Sequence, residues 1–234
     1  MNFTMNLRRL TCLCFLFSLI ASCNNEEIGK SGDVNPEAIY FDYHFSAAEE
    51  GGDITLKLQY RYGGKEGTTL VLDEPGNVTV DGVRLPVDSS GIDGAFYEVV
   101  RPFNEFTGPH RIVYTSSEGK KYEETIEFPA FQLEGVLPDT IGKGQLALDI
   151  AGLKRNDLIQ VMLTDTARFS KGIERFDSLE HGRLVLDSGI LSALKPGPVN
   201  FQLVCHRNLP LQQTTPEGGM LTVSYSVSRE IFLR

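Results

Sequence analysis

The side chains able to do covalent or metal chemistry are few: four cysteines and four histidines. Cys23 has the most unusual setting. In "LIASCNNEE" an apolar run ends at Ile20, Ala21 and Ser22 precede the cysteine, and Asn24, Asn25, Glu26 and Glu27 follow. A thiol there sits at the border between a membrane-seeking segment and a water-seeking one. Cys205 instead falls on the apolar parity of Val199, Phe201 and Leu203, which predicts a buried, inert thiol. His44, His110, His181 and His206 lie far apart, and no pair has the i,i+2 or i,i+4 spacing that brings two imidazoles onto one metal. There is no Gly-x-Ser-x-Gly elbow, and the 23 glycines fall in turns rather than in a phosphate loop before a helix. Asp81, Asp88 and Asp93 lack EF-hand spacing and read as turn aspartates. No catalytic residue, metal ligand or cofactor site is predicted, and a non-enzymatic role is expected.

The residues before Cys23 explain its setting. Arg8 and Arg9 form a positive start, and Leu10 to Ala21 is an uncharged, mostly apolar run of twelve residues. That is short of the roughly 20 residues a membrane helix needs, and it fits an export signal followed by small residues. Ile20-Ala21-Ser22-Cys23 resembles the lipobox of bacterial lipoproteins. The resemblance implies cleavage between Ser22 and Cys23 and a diacylglyceryl group on the Cys23 sulfur. Each buried methylene contributes about 0.8 kcal/mol, so two or three acyl chains hold a protein stably on a bilayer that it does not span.

Removing residues 1–22 takes Arg8 and Arg9 and no acid, so the formal charge moves from −9 to −11. That balance disfavours nucleic acid and anionic headgroups as partners. Cys12 and Cys14 leave with the signal and Cys23 is lipidated. Cys205 then stands alone, no intramolecular disulfide can form, and the fold must rest on its core. Asn24 is not the aspartate that retains some lipoproteins in the inner membrane. Glu26 and Glu27 resemble a surface-export signal, which implies the outer membrane, its outer face ahead of its periplasmic one. Residues 24–37 are rich in Asn, Glu, Gly and Ser and read as a flexible tether reaching about 20 Å.

Beyond the tether the pattern has period two. From Ile54 to Tyr62 every even residue is apolar and every odd residue polar, the mark of a half-buried strand. "VTVDGVRL" predicts a hairpin turning on Asp81-Gly82. Arg111–Ser116 and Tyr122–Phe128 form another pair, with Ile112, Tyr114, Tyr122, Ile126 and Phe128 inward and Glu124 as a discordant member at a rim or bulge. This pair resembles the closing hairpin of an immunoglobulin-like sandwich, without the Cys–Trp–Cys signature of antibody domains. A second unit begins near Gln132, includes a helical turn at Ser188–Leu194 capped by Asp187 or Ser188, and ends on Leu221, Val223, Tyr225, Val227, Ile231 and Leu233, all on one parity. Gly-Pro before a strand recurs at Gly108 and Gly197. The expected chain is a signal peptide (1–22), a lipidated Cys and tether (23–37), and two tandem Ig-like antiparallel β-sandwiches (38–131 and 132–234).

For function, the chain resembles lipid-anchored, tandem Ig-like proteins that hold polysaccharide beside an outer-membrane importer. Such proteins stack sugars on exposed aromatics, whereas tryptophan is absent here. Phe41, Tyr43 and Phe45 share one face of their strand, with Tyr40 and His44 on the other, and core packing is expected for most of these and for Phe96, Tyr97, Phe103 and Phe106. The chain also resembles lipoprotein pilins, in which a long one-sided strand such as Leu221–Leu233 is donated to a neighbour. A non-enzymatic binding or assembly module with a cell-surface glycan or protein partner is expected; a pocket holding a histidine against a carboxylate would instead favour an enzyme. Asp139-Thr140-Ile141, Asp165-Thr166-Ala167 and Asp177-Ser178-Leu179 resemble Asp–Ser/Thr–apolar O-glycosylation sites, which would modify Thr140, Thr166 and Ser178.

Overall fold

A computed structural model describes residues 27–234 apart from 50–51, 107, 129, 154–156, 167–169 and 180. Ser22 and Cys23, with the expected signal, lie outside the described residues. In chain order the first strands are β1 (Ile28–Lys30), β2 (Ile39–Ala48), β3 (Asp53–Tyr62), β4 (Thr68–Val71), β5 (Asn77–Val80), β6 (Val83–Arg84), β7 (Val87–Ser90), β8 (Gly94–Pro102), β9 (Pro109–Thr115) and β10 (Lys121–Glu127). There follow β11 (Gln132–Glu134), β12 (Thr140–Ile141), β13 (Leu146–Ala151), β14 (Leu158–Asp165), β15 (Ile173–Ser178), β16 (Arg183–Leu186), the short helix α1 (Ser188–Ser192), β17 (Gly197–Pro210) and β18 (Gly219–Leu233).

The protein is all-β and built as sandwiches. One sheet of eleven strands carries the order β1-β4-β3-β2-β18-β17-β14-β15, with β8 and β7 added beside β3 and β12 beside β18. Two smaller sheets cover it: β10-β9-β5-β6 over the first half and β11-β13-β16 over the second. Most pairings are antiparallel; β1–β4, β12–β18 and β2–β18 run parallel.

The predicted alternation appears in the burial. Ile54, Leu56, Leu58 and Tyr60 are sealed in the first core, while Tyr62 at the strand end is exposed. Phe41, Tyr43 and Phe45 join them, and Phe41 meets Tyr114 and Tyr60 edge-on at 4.9 and 5.4 Å. Asp81 and Gly82 both take positive φ (51° and 82°), as a tight type I′ turn between β5 and β6 requires. Glu124 is buried rather than at a free rim, because its carboxylate accepts from the Gln212 amide at 2.7 Å. The Asp187 carboxylate caps α1 by accepting from the Ile190 amide at 3.0 Å.

Two hydrophobic clusters result, and β18 belongs to both. Leu221 and Val223 pack in the first, with Phe41, Leu58 and Tyr114. Tyr225, Val227, Ile231 and Leu233 pack in the second, with Phe201, Leu203 and Cys205. Strand β18 enters beside β2 at Gly219, where a Cβ would lie 2.9 Å from that of Phe41. Glycine is needed there for the strands to approach.

The N-terminal segment corrects one expectation. Residues 24–37 are not a free tether throughout: from Ile28 the chain is docked. Strand β1 pairs with β4, and Ser31 is completely buried. The Ser31 hydroxyl accepts from the Asp73 amide at 2.9 Å, and the Asp73 carboxylate accepts from the Gly32 amide at 3.2 Å. The composition suggested a linker, but small polar residues also fit closely against a sheet edge: Gly29 passes where a Cβ would be 3.0 Å from Leu70.

Candidate binding surface

Because side chains alternate across a strand, the large sheet turns one parity to the cores and the other outward. Along β18 the outward residues include Thr222, Ser224, Ser226 and Ser228, none of them buried. Across from them on β17 stand Asn208, His206, Val204 and Gln202 in register. On the other side, β2 places His44 opposite Thr222 and Ser46 opposite Ser224. Gln160 and Phe176 continue the face towards β15, and Lys57 and Glu98 continue it towards β8. From β3 to β15 is five strand spacings, about 24 Å. The result is a band of small hydroxyls between taller side chains.

The flanks are ordered by hydrogen bonds. Gln160 donates to Glu174 at 2.6 Å, and its carbonyl oxygen lies 3.3 Å from His206 Nε2. Thr222 donates to Asn208 at 3.1 Å and Ser228 to Asn200 at 3.3 Å. Phe176 is 61% exposed at the edge. On the opposite flank Lys57 lies 3.1 Å from an Asp93 carboxylate oxygen and 4.4 Å above the Phe96 ring.

A buried polar network underlies that second flank. Arg61 donates through Nε to Asp42 at 3.0 Å and through Nη2 to Gln59 at 2.9 Å. Gln59 donates to the carbonyls of Asp93, in the turn before β8, and of Ala95, at the start of β8, and His44 Nε2 lies 3.0 Å from the second Asp42 oxygen. Desolvation opposes the Asp42 charge, but His44 and Arg61 outweigh it and hold the carboxyl below its ordinary pKa. Asp42, Gln59 and Arg61 occupy the polar parity, so alternation alone placed them in water.

Of the histidines, His44 and His206 flank the open face, His181 lies in the turn before β16, and His110 contacts Asp81 at 2.7 Å beside a cleft. That contact is the histidine–carboxylate pairing that would favour an enzyme, but none of the nine described cleft-lining residues carries a hydroxyl or thiol for it to activate. Cys205 is buried, and burial pushes its pKa up, as expected of an inert thiol. Among the described residues no group of three His, Cys, Asp or Glu is placed to hold a metal. Thr166 and Ser178 are exposed, whereas Thr140 is half-buried in β12 opposite Phe232. Asp165 accepts from the Lys195 amide at 2.9 Å and Asp177 contacts Arg175, so two of the three motif aspartates are engaged within the fold. Strand β18 is paired to β17 on one side and to β2 and β12 on the other, so this chain uses its own closing strand.

Fold and surface together define an all-β sandwich protein with one broad, open, polar sheet face. No family model matches the chain, and no curated protein matches it. Solved structures similar to it include a Bacteroides ovatus protein, the mixed-linkage glucan utilization locus SGBP-B in complex with a mixed-linkage heptasaccharide. The two are 11% identical over 88% of this chain and 68% of that one, with a TM-score of 0.18, too low to bear on fold or ligand. Among the described residues no helix is long and apolar enough to cross a membrane.

Proposed function

We propose that this protein is a non-enzymatic binding module of the outer membrane, anchored through a lipid on Cys23, that engages its partner on the open face of the large sheet. The observation that carries this reading is the outward set that runs from Phe176 and Gln160 through His206, Ser224 and Ser46, with the His44–Lys57 pair beside it, spanning strands of both halves. A surface so wide and shallow suits an extended polymer better than a small molecule. Its chemistry favours a neutral glycan chain within that class. Ser, Thr, Asn and Gln side chains supply both donors and acceptors, which sugar hydroxyls require, and Phe176 offers an exposed ring for a sugar face. Stacking energy on such a ring is modest, so affinity would come from many weak contacts across the strands.

The test is retention of the purified protein in native gels cast with soluble neutral polysaccharides. Slowed migration with at least one polysaccharide, lost when Phe176, His206 and His44 are replaced together by Ala, supports the reading. Unchanged migration across β-glucans, α-glucans, mannans and xylans would remove the glycan assignment. Retention that survived the triple substitution would move the site off this face.

A further inference from the structure

The sandwich of the first half parts at one edge. Between β8 of the large sheet and the β5–β6 hairpin of the small one lies a cleft of about 220 Å³. Val80, Val83, Leu85 and Val99 form apolar walls, and Arg101, Glu105 and His110 also line it. His110 is held on two sides. Its Nδ1 lies 2.7 Å from Asp81 Oδ2, and the Phe106 ring stacks on the imidazole with centroids 3.5 Å apart. Asp81 is fixed in turn by its place in the tight turn and by accepting from the Arg111 amide at 2.9 Å. A carboxylate can only accept, so Nδ1 carries a proton; Nε2 is then a lone-pair acceptor in the neutral ring and a second donor in the imidazolium. That Nε2 is buried and has no hydrogen-bond partner. A buried polar atom left unpaired is uncommon and costly.

We propose that this cleft is a subsite for one ring of a neutral polyhydroxylated ligand, a single sugar residue, whose hydroxyl pairs with His110 Nε2. A hydroxyl both donates and accepts, so it can pair with Nε2 in either state of the ring. Arg101 and Glu105 carry opposite charges, and Asp81 is already engaged by His110 and the Arg111 amide, so the lining selects no ion. The valine and leucine walls take the C–H face of a sugar, while Arg101 and Glu105 offer donors and acceptors to its other hydroxyls. The volume falls below the roughly 300–1,000 Å³ of drug-sized sites and limits the occupant to about one ring. Val99 and Arg101 lie on the inward parity of β8, on the opposite side of the large sheet from the open polar face. The subsite therefore stands or falls independently of that face.

The experiment is a titration of the purified protein with methyl glycosides of neutral hexoses, pentoses and N-acetylhexosamines. It is followed by long-range proton–nitrogen NMR of the histidine rings. At least one glycoside should shift the His110 Nε2 resonance saturably at millimolar concentration, with the proton staying on Nδ1. Val83 is 59% exposed on the cleft wall, so Val83→Trp fills the space from its solvent side and should abolish the shift while leaving the melting temperature near that of the parent. Arg101→Ala should weaken binding about tenfold, the scale of one hydrogen bond to a charged group. No saturable shift with any glycoside would overturn the proposal. So would a shift that survives Val83→Trp, or saturation by acetate or inorganic phosphate in place of the sugars.

Discussion

Arg61 Nε lies 3.0 Å from Asp42 Oδ2, with 11% and 8% of the two side chains exposed, on the face of the sheet that is otherwise open to water. A buried pair broken on one side leaves a charge without its partner. Asp42→Ala should therefore lower stability by about 3 kcal/mol, read as a shift in the urea midpoint. Replacing both residues, Asp42→Asn with Arg61→Met, should recover part of that loss. A loss below about 0.5 kcal/mol, typical of surface substitutions, would show that the pair is not sealed in solution.

The same carboxylate gives a pH dependence. Its folded pKa lies below the ordinary value, so its contribution is full above the unfolded value near 3.9 and is lost as pH falls through the folded one. Stability of the parent should fall more steeply than that of Asp42→Asn as pH is lowered below about 4. Parallel curves for the two proteins across acid denaturation would contradict the assignment.

Sharing β18 should couple the two cores. Leu58→Ala in the first cluster and Leu203→Ala in the second should each cost about 2–5 kcal/mol and move one common transition. Tyrosine fluorescence is dominated by the first core, which holds Tyr43, Tyr60 and Tyr114, and amide exchange in β14 and β17 reports on the second. Two separated transitions would mean that the sheet does not join the halves energetically.

Cys23→Ala should leave the chain uncleaved at this site and without a lipid. The measurements are the mass of the protein and its partition into detergent. Maturation and lipid-dependent partition that persist in the mutant would end the anchor proposal.

Asp81 tests the small hairpin. Asp81→Asn keeps a side chain that tolerates positive φ and can still hydrogen-bond to the Arg111 amide, so it should cost less than Asp81→Ala, by about 1 kcal/mol in thermal unfolding. Equal losses would place the effect elsewhere than in the turn.

Alternation made much of the fold legible in advance. The inward sets of β2, β3, β9 and β18 could be written down because a strand buried on one face must repeat every second residue. Asp81-Gly82 and the cap of α1 were legible because so few residues meet those backbone demands. Pairing between distant strands carries no such local mark. Nothing near Phe41 or Gly219 announces that they lie side by side, so the sheet common to both halves came only with the structure. Asp42, Gln59 and Arg61 sit on a parity that predicts water, and a turn more than thirty residues away in sequence covers Gln59. The His110 cleft was hidden for the same reason: its walls come from two sheets.

The docking of β1 has a consequence for how the molecule stands. With a lipid on Cys23, only four residues lie between the anchor and Ile28, at most about 18 Å of extended chain over the five steps. The β1 edge would then be held within that reach of the headgroups. Strand β15 lies seven places away in the same sheet, up to about 34 Å at the usual spacing. Phe176, on that far strand, would then stand about as far from the mooring as the sheet allows.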